Sequence, residues 1–255
     1  MCLAAVALAA HPRLALVIAA NRDEYHARPA AAAHWWRDGV FAGRDERAGG
    51  TWFGVTRSGR FALVTNFREP GRNDTALRSR GELPLAILRD PEDIAMACDR
   101  VARDGDRYNG FNIVAGEPHV ALHFSNRRPG VVALGNGVHA LSNGALDAPW
   151  PKVLRLRAAV EGWCADASDD AERLWQALAD RAPAPDAELP HTGLPIARER
   201  LVSAPFIVDP DYGTRASTLL TIAQDGTATF VERRFDSRAT LIDEITERFA
   251  IAVRS

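Results

Sequence analysis

The residue with the most chemistry to offer is the second one, a cysteine directly behind Met1. Aminopeptidases remove a leading methionine when the next side chain is as small as cysteine. Removal would leave Cys2 with a thiol and a free α-amino group on one residue. An α-amine with a reference pKa of about 7.7 to 8.0 is partly neutral near physiological pH and takes the thiol proton directly or through a water. Nucleophile and base would then come from a single residue. The alternative is an ordinary buried cysteine, which is what most free cysteines are. A second concentration of chemistry is Asn21-Arg22-Asp23-Glu24. Four polar or charged residues ending an apolar run are costly unless paired or functional. As a functional group, Arg22 would favour a thiolate and neighbouring oxyanions while Asp23 held the α-amino group in place. As a structural one, the four would be an ion-pair cluster at a strand end.

These residues need elements to bring them together. Leu3 to Ala10 and Leu14 to Ala20 are two apolar runs around His11-Pro12-Arg13, a buried hairpin pattern that sets Cys2 beside Asn21 to Glu24. Val40 to Ala42, Thr51 to Val55 and Phe61 to Thr65 read as strands, the last two joined by the turn Arg57 to Arg60. Gly81 to Arg89 and Glu92 to Arg103 carry apolar residues at helical spacing, with Pro91 at a helix start, so Cys98 is a packing residue. Asn109 to Ala115, His119 to Ser125, Val131 to Leu134 and His139 to Ser142 form a second strand series, with Arg127 to Gly130 among its turns. Helices are expected at Pro151 to Cys164 and Asp169 to Arg181. Ala182 to Arg200, with four prolines, is expected to be a surface excursion or lid. Strands are expected at Pro205 to Val208, Ser217 to Ala223 and Thr227 to Arg233, and a closing helix at Thr240 to Val253. Segregated blocks of strands and helices predict an α+β fold of antiparallel sheets covered by helices.

Composition removes several function classes. The 255 residues, 47% hydrophobic and 25% charged, can bury a full core, and no repeat or linker divides them, so residues 1–255 read as one domain. A net charge of -2 leaves no global basic excess for nucleic acid or anionic membrane. The first twenty residues lack a basic n-region and are broken by His11-Pro12-Arg13, which excludes a signal peptide and falls short of the ~20 apolar residues of a membrane span. The expected location is the cytoplasm. Three scattered cysteines make neither a disulfide framework nor a zinc site. Lys152 is the single lysine among 31 basic residues, a bias that points to a GC-rich, bacterial coding sequence. His119 and His123 share a strand face without acidic or cysteine partners and are expected to be structural. Trp35-Trp36 and Phe67 are candidates for the rim of an apolar site, and Trp52 and Phe53 for core packing.

Taken together, Met1-Cys2, Asn21-Arg22-Asp23-Glu24, Gly49-Gly50-Thr51-Trp52-Phe53-Gly54, Thr65-Asn66, Tyr108-Asn109-Gly110-Phe111-Asn112 and Leu141-Ser142-Asn143-Gly144 resemble the NRDE family, from residue 1 to about 235. Its animal members are the transport and Golgi organisation type 2 proteins. The layout is also similar to cysteine-type N-terminal nucleophile hydrolases, the class of bile salt hydrolases and penicillin V acylases. The resemblance implies a four-layer αββα sandwich. It also implies Cys2 as nucleophile, with Arg22 and Asp23 beside it at a tighter spacing than the class uses. Asn66 would contribute to an oxyanion hole, Asn143 would be a second asparagine aimed at the oxyanion or the amine, and Arg215 a late arginine near the nucleophile. The activity implied is hydrolysis of an amide, ester or thioester of a small apolar-tailed molecule, with no required cofactor. The alternative is a non-enzymatic carrier of haem or an acyl ligand in the same cleft, although the chain has no C-x-x-C-H haem attachment motif.

Overall fold

The computed structural model describes residues 3–252. The chain opens with β1 (Leu3–Leu8) and β2 (Leu14–Tyr25), followed by β3 (Ala30–Trp35), β4 (Val40–Asp45), β5 (Phe53–Thr56) and β6 (Phe61–Asn66). Two helices, α1 (Glu82–Leu88) and α2 (Ile94–Arg103), precede β7 (Phe111–Glu117), β8 (Val120–Ser125), β9 (Arg128–Ala133) and β10 (Gly137–Leu141). Then come α3 (Pro151–Ala165), α4 (Glu172–Leu178) and α5 (Ile196–Leu201), and finally β11 (Tyr212–Ala223), β12 (Thr227–Phe235) and β13 (Leu241–Ala250).

Among the described residues the strands form two antiparallel sheets. One runs β10-β1-β2-β11-β12-β13, the other β3-β4-β5-β6-β7-β8-β9. The apolar runs of β1 and β2 follow from burial on both faces. Val6, Leu16 and Ile18 face the other sheet and meet Phe53, Phe61 and Leu63 there. Ala5, Val17 and Ala19 face away, onto Leu156, Val160 and Trp163 of α3. On the far side, Ala62, Ile113 and Phe124 of the second sheet pack against Leu83 and Ile87 of α1 and Ala97 and Cys98 of α2. The layers are therefore helix, sheet, sheet, helix: the expected αββα sandwich.

Some expected elements differ. From Thr240 onward the chain is strand β13, not a helix. Ile245 and Phe249 pack on the inter-sheet core and Glu247 accepts the Trp35 indole N–H, a period of two in which Thr246 and Arg248 between them face outward. Pro205 to Val208 is irregular, although Phe206 and Ile207 are buried. Arg128 to Gly130 belong to β9, with the glycine tolerated on an edge strand. The alanine-rich β3 was not expected, because alanine carries little strand signal. Within the proline-rich excursion, α5 forms one short helix. Trp35 joins the core beside Phe41 and Phe249, and Trp36 lies under Arg44 on the opposite face, so neither rims the cleft described below.

Candidate functional site

At the end of β2 the tetrapeptide Asn21 to Glu24 is distributed over different partners, because successive strand residues point to opposite faces. The Asn21 amide donates to the carbonyls of Leu178 and Pro205 and accepts from the Ser217 hydroxyl at 2.6 Å, which ties the strand to the helical layer. Arg22 turns the other way, toward the inter-sheet core, and lies over the Trp52 ring at 4.3 Å with 4% exposure. Burial holds its pKa below the usual guanidinium range. Asp23 accepts from the Thr214 hydroxyl at 2.6 Å, and the same hydroxyl accepts the Ile207 N–H at 2.9 Å. Glu24 stands 3.8 Å from Arg28, which pairs with Asp45 at 2.7 Å.

Opposite this strand, β11 carries a bulge. Asp23 pairs with Thr214 and Arg22 with Ala216, so Arg215 is the extra residue. Its guanidinium donates to the carbonyls of Tyr25, His26 and Arg28 at 3.0 to 3.2 Å and so pins the turn into β3. Burial and the neighbouring Arg234 pull its pKa down.

The two sheets are clipped together at this end. Thr65 donates to the Ser142 carbonyl at 2.7 Å, Asn112 to the Gly144 carbonyl at 2.9 Å, and the Asn143 amide to the Asn66 carbonyl at 2.9 Å. Arg68 receives support from both sides: its backbone N–H donates to the Asn143 carbonyl, and its guanidinium pairs with Glu199 at 2.7 Å. The result is a cleft of about 260 Å³ whose lining includes Asp23, Asn66, Asn143, Lys152 and Tyr212. Of the expected site residues, Asp23, Asn66 and Asn143 meet here. Arg22 and Arg215 do not line the cleft, and Cys2 lies outside the described residues. Asn66 lines this space, and its side-chain amide makes no hydrogen bond to a described residue. Among the described lining residues, Tyr25 and Tyr212 are of a type that ligates haem iron, and their rings pack edge to face at 5.2 Å.

The other cysteines are chemically quiet. Burial pushes the Cys98 thiol up to about 12 and the Cys164 thiol up to about 11, so both stay protonated at neutral pH.

The Transport and Golgi organisation 2 family model matches residues 1–237. The chain belongs to this family. Its relatives include the Transport and Golgi organization protein 2 homologs of Bos taurus, 35% identical, and Homo sapiens, 32% identical, in each case over 86% of both chains. Among solved structures, a mutant conjugated bile acid hydrolase from Clostridium perfringens superposes with a TM-score of 0.51 at 8% identity, covering 100% of this chain and 99% of that one. At that identity the likeness is one of fold, the sandwich of two antiparallel sheets between helical layers.

Several cleft residues of this family member carried no signal that stood out in the sequence. Lys152 did: a solitary lysine one residue past Trp150-Pro151, now found buried at the start of α3. Glu199 is buried on an otherwise exposed helix and Thr214 sits beside a bulge, and neither fact is visible without the fold.

Proposed function

We propose that the protein is a cysteine N-terminal nucleophile hydrolase in which Cys2, freed of Met1, attacks an amide, ester or thioester carbonyl of a small apolar-tailed molecule. The observation that carries this reading is the convergence of Asp23, Asn66 and Asn143 on one cleft where β2 ends and β1 begins. Leu3 pairs with Asn21, two residues before Asp23, and Cys2 is the residue bonded to Leu3.

In this mechanism the α-amine takes the thiol proton and the thiolate adds to the carbonyl carbon. The carbonyl pair moves onto oxygen, where the uncommitted Asn66 amide donates a hydrogen bond and Asn143 supplies its remaining N–H. Fixed donors of this kind typically account for about 100- to 1,000-fold in rate each. The tetrahedral species collapses to a thioester, the leaving amine, alcohol or thiol departs with the proton from the α-ammonium, and water hydrolyses the thioester by the same route. Asp23, oriented by Thr214, accepts from the α-ammonium and holds it over the cleft. Arg22, buried against Trp52 at the same strand end, supplies a fixed positive charge that favours the thiolate.

Intact-mass measurement of protein from its native host, with iodoacetamide labelling and peptide mapping of the folded chain, tests this. Loss of Met1 and labelling of Cys2 well ahead of Cys98 and Cys164 are expected. Retention of Met1, or labelling of Cys2 no faster than the two buried thiols, would overturn the reading.

A further inference from the structure

The proline-rich excursion reads as a surface feature, yet it carries one carboxylate into the protein. Glu199 on α5 is buried, and its Oε2 meets the guanidinium of Arg68, two residues past the end of β6, at 2.7 Å. The side chains are 4% and 11% exposed, so solvent screens this pair far less than a surface one. Both partners are held from other sides as well. Oε1 of Glu199 accepts the backbone N–H and the hydroxyl of Thr192, so the excursion closes on its own carboxylate. The Arg68 guanidinium lies over the Trp150 ring at 4.8 Å, which sets the plane of its fork. The other terminal nitrogen of that fork stands 3.5 Å from Oδ1 of Asn143, and the Arg68 backbone N–H donates to the Asn143 carbonyl at 2.7 Å.

Asn143 is one of the two asparagines assigned to the oxyanion, and an amide serves there only through its nitrogen. Turned over, it would present a carbonyl oxygen to a developing negative charge. Its orientation is set by two groups with single roles. The Asn66 carbonyl can only accept, and takes an N–H of the amide at 2.9 Å. A guanidinium can only donate, and Arg68 faces Oδ1. The Ser142 hydroxyl adds a donor to Oδ1 at 3.3 Å.

We infer that Glu199 and Arg68 are positioning residues for the oxyanion site: the docked excursion aims the Arg68 guanidinium, and the guanidinium keeps the Asn143 amide in its donating orientation. The inference rests on the function proposed above for the role of Asn143, whereas the clamp itself rests on these contacts alone.

Acylation of Cys2 by p-nitrophenyl hexanoate, read as the burst of p-nitrophenolate, should slow about 10- to 100-fold in Glu199→Gln, the scale of loss when a reacting group is misplaced from a distance. Alkylation by iodoacetamide, which forms no oxyanion, should change less than about threefold. In an Asn143→Ala background Glu199→Gln should cost less than about twofold more, because the residue it acts through is gone. Arg68→Met combined with Glu199→Leu leaves neither charge of the pair buried without its partner, so it preserves the fold where Glu199→Gln alone does not, and it should show the same loss. A second readout needs no activity. The side-chain amide of Asn143, identified by NMR through its absence from Asn143→Ala, should exchange with solvent about fivefold faster in either Glu199 variant, the effect of about one lost hydrogen bond. Unchanged exchange, or the same slowing of acylation by Glu199→Gln with and without Asn143, overturns the inference. No acylation of Cys2 in the unmodified chain would sink the hydrolase reading instead, and the amide exchange would still decide the clamp.

Discussion

Glu232 offers a measurement of how dry the space between the sheets is behind Arg22 and Trp52. It sits on β12 at 1% exposure, with Oε1 accepting the Ala33 N–H at 2.9 Å and Oε2 without a partner among the described residues. Gly43 lies against it, since a Cβ there would stand 2.4 Å from the Trp52 ring and 3.2 Å from Oε2. Burial pushes its carboxyl up to about 7 from an ordinary 4.5, against the opposing pull of the Ala33 N–H, Arg234 and Arg22, with Asp243 adding to the rise. In the window between those two values the folded chain keeps a proton that the unfolded chain has lost, so stability falls as pH rises through it. At about 1.36 kcal/mol per pH unit over roughly 2.5 units, the carboxylate costs about 3 kcal/mol, fully felt above pH 7. Glu232→Gln removes this titration. Its amide adds a constant offset of about 1–3 kcal/mol because the NH2 group at the Oε2 position lacks an acceptor, but that offset does not vary with pH. Urea unfolding of both proteins in half-unit steps from pH 4 to 8 should give a difference that is flat below about 4.5, shifts in favour of the variant by about 3 kcal/mol through the window, and is flat again above 7. A difference that stays constant across the whole range refutes a desolvated carboxyl at this position.

Two further outcomes follow from the same kind of reasoning. His123, buried beside Asn112, is pulled down to about 4 by burial and by Arg128, so the unfolded chain binds the extra proton between about 6.5 and 4. His123→Gln should therefore gain on the wild type by roughly 3 kcal/mol as pH falls through that window, measured by the same unfolding series; no change in the difference would mean the ring is solvated. Asn66→Ala should slow acylation of Cys2 by p-nitrophenyl hexanoate about 100- to 1,000-fold. Its alkylation by iodoacetamide, which forms no oxyanion, should change by less than about threefold, and equal losses for both reagents would remove Asn66 from the oxyanion role.

The first hairpin was legible because both faces of β1 and β2 are buried, which leaves an unbroken apolar run that only a core strand or helix needs, with a proline turn to divide it. The αββα arrangement was legible from block order once the motifs suggested a family. Strand β13 was not, because Leu241 and Ile242 are exposed at its start and imitate a helical apolar pair before the alternation at Ile245 and Phe249 begins. Asp23, Asn66 and Asn143 could be chosen in advance only through the resemblance to the N-terminal nucleophile hydrolase pattern, since an asparagine after a strand, taken alone, reads as a turn residue. The cations of the cleft could not. Arg68 and Arg198 are two among many arginines, and only the fold distinguishes Arg68, which is paired with Glu199, from Arg198, which is not.

That distinction bears on the meaning of Asn21-Arg22-Asp23-Glu24. Read as letters, the tetrapeptide suggests four residues converging on one reaction. In the fold the alternation of β2 prevents this: Asn21 and Asp23 cannot share a face with Arg22 without breaking the strand. Asn21 donates to the Leu178 and Pro205 carbonyls on the helical side and accepts from Ser217 on β11, Arg22 lies over Trp52 on the inter-sheet face, and of the four Asp23 lines the cleft. The bulge at Arg215 completes the arrangement. It offsets β11 by one residue where β2 leaves the sheet, which sets Thr214 against Asp23 and sends Arg215 to the carbonyls of the following turn. A slip of that bulge by one position would exchange Thr214 for Arg215 opposite Asp23 and replace a neutral donor by a cation. The motif therefore divides its residues between two faces of one strand, with Asp23 on the cleft side and Arg22 on the inter-sheet side, and the chemistry of the cleft depends on that register being kept.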